Sequence, residues 1–385
     1  MSQPPSAPPS TLKPSQKPTW LQRRLPTVLG IALGIGGSFA YLLRPESMGS
    51  ISTGEWVAVL AGAFFLAILC HECGHLIAGW LVRFEIISFA IGPFGVQRKP
   101  EGWKFIFNKQ LNTALGFVGV QPRSYERIHR RLSIFIIGGP LGNLVAAGVC
   151  GLLLMVAQDP LSIHFYLVMV NLSLLCGLAN CIPYKNHSIQ SDGARLLMLY
   201  QLPQEAERWI AVIALNGALQ RGERPRDWDT DAITRAIASP DHSVDHYVGM
   251  LMAYLWAEDH DNYDQSQAYL EHMLTNYPHA SPHHQAIILA EGAFFYSYRR
   301  HNLDLARDCW NRLKPLGQHI PHHFLVHTRT TLLAAEGRLD EARERLKEYM
   351  QVRKEHPYAW MREGEAKWLE SMQSAINGVE APASA

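Results

Sequence analysis

The residues with the clearest capacity for chemistry are His71, Glu72 and His75, in the run His71-Glu72-Cys73-Gly74-His75. On a helix, positions i and i+4 share a face, so two imidazoles can meet one metal ion. Glu72 lies one step round, near enough to accept a proton from a water bound to that ion. Zinc suits this donor set, because a hydrolytic site takes three protein ligands and leaves the fourth position for water or substrate. Cys70 and Cys73 flank the first histidine but fall off the ligand face, Cys73 lying about 200° round from His71 on an ideal helix. Gly74 leaves room for another helix or strand to approach the metal closely.

Taken alone the motif is a weak match, and its setting makes it stronger. It sits in an apolar run from about Trp56 to Val82, one of four such runs with Leu25–Leu43, Leu132–Ala157 and Phe165–Ile182. Each is close to the roughly 20 residues that cross a bilayer core as a helix. Ionisable residues inside such a helix are costly and usually functional. Two packing histidines beside a stray glutamate would bury a carboxylate with nothing to compensate it.

Loop charge sets an orientation. Lys13, Lys17, Arg23 and Arg24 precede the first run, and nine basic residues lie between Arg83 and Arg131. The stretch between the first two runs has only Arg44, and Gln158–His164 has no Lys or Arg. The positive-inside rule then puts the N-terminus, the 83–131 connection and everything after the fourth run on the cytoplasmic side. Within 83–131, FEIISFAIGPFGVQ, WKFIFN and LGFVGVQP read as short strands or a hairpin, with a free edge able to pair with an extended peptide. The third metal ligand must come from elsewhere. Asp192 follows the fourth run on the same side as the histidines; His187 is the rival.

At this point the chain resembles the site-2 protease family of intramembrane zinc metalloproteases across residues 50–200. The resemblance is carried by His71-Glu72-Cys73-Gly74-His75, then Gly139-Pro140-Leu141-Gly142-Asn143, then Asn180-Cys181-Ile182-Pro183 followed by Asp192-Gly193. It implies that His71, His75 and Asp192 bind one zinc ion, that Glu72 is the catalytic base, and that substrates are membrane-spanning helices cut within or near the bilayer. It also implies that Asn180 helps hold substrate or stabilise the oxyanion. The segment Tyr184–Ser191 is longer than the family pattern, so it must loop out if Asp192 is to reach the metal.

The remainder has a different texture. Residues 1–24 read as a disordered Pro-rich cytoplasmic tail, 25–200 as the transmembrane metalloprotease domain, and 201–385 as a cytoplasmic tetratricopeptide-like helical domain. The alanines at Ala268, Ala306 and Ala342 recur at intervals of 38 and 36 residues, which suggests stacked helix–turn–helix units. The expected fold is thus an α-helical integral membrane protein, with four transmembrane helices, a small cytoplasmic β-rich insertion and an all-α repeat-like soluble domain. That domain is expected to bind a protein or peptide partner. Its histidines, His279 to His327, read as loop residues rather than a second metal site.

The balance of 35 Lys and Arg against 34 Asp and Glu excludes the basic excess of a nucleic-acid binder. The six cysteines show no disulfide or paired CxxC spacing. An inactive membrane scaffold acting through its repeats is the alternative from another class. An ion transporter would need ionisable residues in several spans, and the other three have almost none. The membrane expected is a bacterial inner membrane, with both termini cytoplasmic.

Overall fold

The computed structural model describes residues 50–99, 102–107, 116–184, 190–238, 240–353 and 358–377. The chain divides into two compact units, one ending at Ala206 and the other running on from Glu207. The expected first span, Leu25–Leu43, and the N-terminal tail lie outside the described residues.

The first unit is built on three helices: α1 (Thr53–Leu81), α2 (Ile128–Leu154) and α3 (Pro160–Cys181). They are the helices among the described residues that are long and apolar enough to cross a membrane. Four spans were expected; three fall within the described residues. Ser52 starts α1 with a reciprocal cap: its hydroxyl accepts from the Glu55 amide at 3.2 Å, and its own amide donates to the Glu55 carboxylate at 2.7 Å. At the other end the Arg131 guanidinium donates to the Val82 carbonyl from Nε at 3.0 Å and Nη2 at 2.8 Å. A cation there satisfies an orphan carbonyl and complements the helix dipole.

Glycines let α1 and α2 approach until their backbones touch. A Cβ on Gly74 would overlap the Gly138 carbonyl, and one on Gly142 would overlap the Cys70 carbonyl. Small residues at such a crossing allow close van der Waals packing between the two helices. The room expected beside Gly74 is filled by α2.

Between α1 and α2 lies a four-stranded antiparallel sheet in the order β3-β2-β1-β4. Its strands are β1 (Phe84–Ile91), β2 (Phe94–Lys99), β3 (Gly102–Phe107) and β4 (Gly116–Pro122). The run read as FEIISFAIGPFGVQ is two strands, split where Gly92 adopts φ 53°. Ile86 and Val120 pack near Gly79 of α1, while Gly116 reaches Glu72. The sheet therefore runs back along α1 from its end towards the histidines, leaving β3 and β4 as edges. A short helix, α4 (Asp192–Gln201), ends the part that forms the site, and the division between units falls within α5 (Pro203–Gln220).

The second unit is helical. After α6 (Thr230–Ile237) come three helix pairs: α7 (Val244–Asp259) with α8 (Tyr263–Asn276), α9 (Pro282–Tyr298) with α10 (Leu303–Leu313), and α11 (His322–Ala335) with α12 (Leu339–Val352). Then follows α13 (Ala359–Asn377). Each pair turns through one left-handed residue, at Asp261, His301 and Gly337. Five positions later sits a fully buried small residue: Ser266, Ala306 and Ala342. The repeat register therefore passes through Ser266 rather than Ala268, which is only half-buried. A small side chain is needed where the two helices of a pair come together, and serine meets that need by bonding its hydroxyl to the Asn262 carbonyl at 3.0 Å.

Candidate metal centre

His71, Glu72 and His75 all lie on the buried face of α1, each less than 9% exposed. His75 Nδ1 lies 2.9 Å from the Phe135 carbonyl of α2. A carbonyl can only accept, so Nδ1 carries the proton and Nε2 presents its lone pair. That Nε2 is 3.2 Å from the Nε2 of His71. Gly139 of α2 closes over the pair, and a Cβ there would lie 2.6 Å from His71 Nε2 and overlap His75 Nε2.

Asp192 arrives as the first residue of α4. Its Oδ2 lies 3.1 Å from His71 Nε2 and its Oδ1 3.4 Å from His75 Nε2. Ser191 caps the helix, while Gly193 lies against the end of α3, where a Cβ would overlap the Cys181 carbonyl.

The three donors fit a metal ion. They are the group of His, Cys, Asp or Glu side chains among the described residues whose ligand atoms converge. Tetrahedral bonds of 2.0–2.2 Å would set ligand atoms roughly 3.3–3.5 Å apart, close to the separations found. The buried Asp192 Oδ2 accepts no hydrogen bond even at 3.1 Å from an imidazole nitrogen. Lone pairs aimed at a shared point, rather than a proton aimed at an oxygen, account for that. Cys70 and Cys73 stay outside the group.

The other candidates are placed differently. His187 lies outside the described residues. Asn180 is half-buried and donates from Nδ2 to the Cys176 carbonyl one turn back, at 3.1 Å, so that donor is engaged within its own helix. Asn143 is fully buried and bonds from α2 to the Ser173 carbonyl of α3 at 3.2 Å.

Sequence reasoning missed the residues that shape the site from outside: Gly116, Gly139, Ser191 and the Phe135 carbonyl. Ser-Asp ahead of an apolar stretch is a helix-start signal that could have drawn attention to Ser191. Gly139 stands in a motif that carries the resemblance, though with no role attached to it; nothing local marks Gly116 or the Phe135 carbonyl. No family model, curated protein or solved structure matches this chain.

Proposed function

We propose that the chain is an intramembrane zinc metalloprotease that hydrolyses peptide bonds of membrane-spanning protein substrates. The observation that carries this reading is the meeting of Asp192, from α4, with His71 and His75, which stand next to Glu72 on a helix apolar enough to span a membrane. A zinc ion on those three ligands would supply the Lewis acidity that makes water a nucleophile near neutral pH.

The residues of the chain do the rest. His71 and His75 would hold the ion through Nε2, with His75 oriented by the Phe135 carbonyl, and Asp192 would hold it through its carboxylate. Glu72 takes the proton from the attacking water and returns it to the leaving amine nitrogen. A substrate helix has its carbonyls tied in hydrogen bonds and must unwind to be cut. The edge strand β4 begins at Gly116, against Glu72, and its backbone offers pairing to the unwound segment. The helix pairs of the second unit, tetratricopeptide-like in period, serve as a cytoplasmic module for a protein or peptide partner. The charge pattern favours a multi-pass membrane protein with both termini cytoplasmic, and the Pro-rich leader fits a bacterial inner membrane.

The test is metal analysis of the purified protein together with cleavage of transmembrane reporter substrates by wild type and Glu72→Gln. One zinc per chain in both proteins, with cleavage only by wild type, supports the protease. A zinc-free protein, or cleavage undiminished in Glu72→Gln, overturns it. Reporters left intact by zinc-loaded wild type would favour the scaffold reading.

A further inference from the structure

We propose that Ser191 is a positioning residue that latches the start of α4 to the end of α3 and so fixes Asp192. The inference rests on the reading of His71, His75 and Asp192 as metal ligands.

Ser191 is 9% exposed, and its hydroxyl uses its whole bonding capacity. It donates to the Ile182 carbonyl at 2.7 Å and accepts from the Tyr184 amide at 2.9 Å and the Ala194 amide at 3.2 Å. A hydroxyl offers one donor and two acceptor lone pairs, so none is left over. The backbone of Ser191 adds two bonds, from its amide to the Tyr184 carbonyl at 2.9 Å and from the Arg195 amide to its carbonyl at 3.0 Å.

An ordinary helix cap bonds forward, into the first turn. Ser191 also bonds backward, to both sides of Pro183 at the end of α3. Tyr184 and Ser191 are thereby held together beside Asp192. Further along α4, the Tyr200 hydroxyl lies 2.8 Å from the Ser133 hydroxyl of α2. The short helix is therefore tied near both ends, with the metal-facing carboxylate next to the latch.

The experiment uses full-length protein in detergent, titrated with Co2+ as the probe metal and followed by its visible d–d spectrum. Ser191→Ala removes the latch and the cap, Ser191→Gly removes the latch but keeps most of the capping preference, and Ser191→Thr keeps the hydroxyl. Asp159→Ala removes the cap of α3 and serves as a control for cap loss in general. Loss of a group that orients a ligand typically weakens metal binding by about 10–100-fold. That loss is expected for Ser191→Ala and Ser191→Gly, with weaker d–d bands as water replaces the carboxylate. Ser191→Thr and Asp159→Ala should keep wild-type affinity and bands. Wild-type affinity and spectrum in folded Ser191→Gly would overturn the proposal, as would the same weakening in Asp159→Ala. If wild type takes up no Co2+, or Asp192→Asn binds it as tightly as wild type, the ligand reading itself fails and the latch falls with it.

Discussion

Gly116, the first residue of β4, lies so close to Glu72 that a Cβ on it would overlap the carboxyl group. The sheet edge and the proposed base thus share one surface, with no side chain between them. Gly116→Ala should force either the strand or the carboxylate aside. Displacing a reacting group by about 1 Å can cost on the order of 100-fold in rate. We expect cleavage to fall by about that factor with metal content unchanged, measured by reporter cleavage and metal analysis on the same preparation. Cleavage at the wild-type rate would mean that the contact is relaxed without consequence.

Gly139 makes the matching contact with the proposed ligands His71 and His75. A methyl group there meets both Nε2 atoms, and α2 could retreat only by giving up the close packing of Gly138 and Gly142 on the backbone of α1. Gly139→Ala should therefore weaken metal binding by about 10-fold or more, as loss of ligand orientation does elsewhere. Competition against a chelator of known affinity measures this, and affinity equal to wild type would show that the imidazoles have room to move.

Arg131 holds the turn that starts the sheet. Besides its bonds to Val82 it donates to the Ser124 carbonyl, and its guanidinium lies 4.9 Å from the centre of the Phe84 ring. Arg83, between α1 and β1, adopts φ 58°, a conformation that needs such support. Lysine keeps the charge but not the planar fork. Arg131→Lys should cost about 1.5–3 kcal/mol, the range for losing hydrogen bonds to a charged group. A lowered thermal midpoint in detergent, with metal content retained below the transition, is the expected result.

How much of this could be read in advance depends on how local the cause is. His71, Glu72 and His75 were legible because helix period and ligand chemistry act within five residues. Asp192 was within reach because charge in the loops placed it on the same side as the histidines. The contacts of Gly116 and Gly139 depend on which backbone packs where, and no spacing in the chain encodes that. The repeat was read two residues out of register in its first helix pair, for a related reason. Its turns use Asp261 and His301 where glycine would have announced a left-handed residue, and its small buried position uses Ser266 where alanine was sought.

The second unit carries a pair of buried imidazoles whose protonation should unfold it. His246 of α7 is fully buried and His272 of α8 is 3% exposed, with their Nε2 atoms 3.1 Å apart. One ring can donate to the other only while at least one is neutral. Burial, then the nearness of His272 and of the Arg208 guanidinium, holds His246 well below the ordinary histidine range. His284, capped by Ser281, is pushed down to about 4 by burial and by His283. A base with a depressed folded pKa binds fewer protons in the native state than when unfolded. Its neutral form is no liability above the unfolded value near 6.5, and stability falls as pH drops below that value. Each such group contributes a slope approaching about 1.4 kcal/mol per pH unit. Urea unfolding of the full chain, followed by tryptophan fluorescence between pH 7.5 and 4.5, should show the second unit weakening steadily below 6.5. The double variant His246→Leu with His272→Leu should lose about one proton's worth of that slope. An unchanged slope would mean that the pair titrates alike in the folded and unfolded chain.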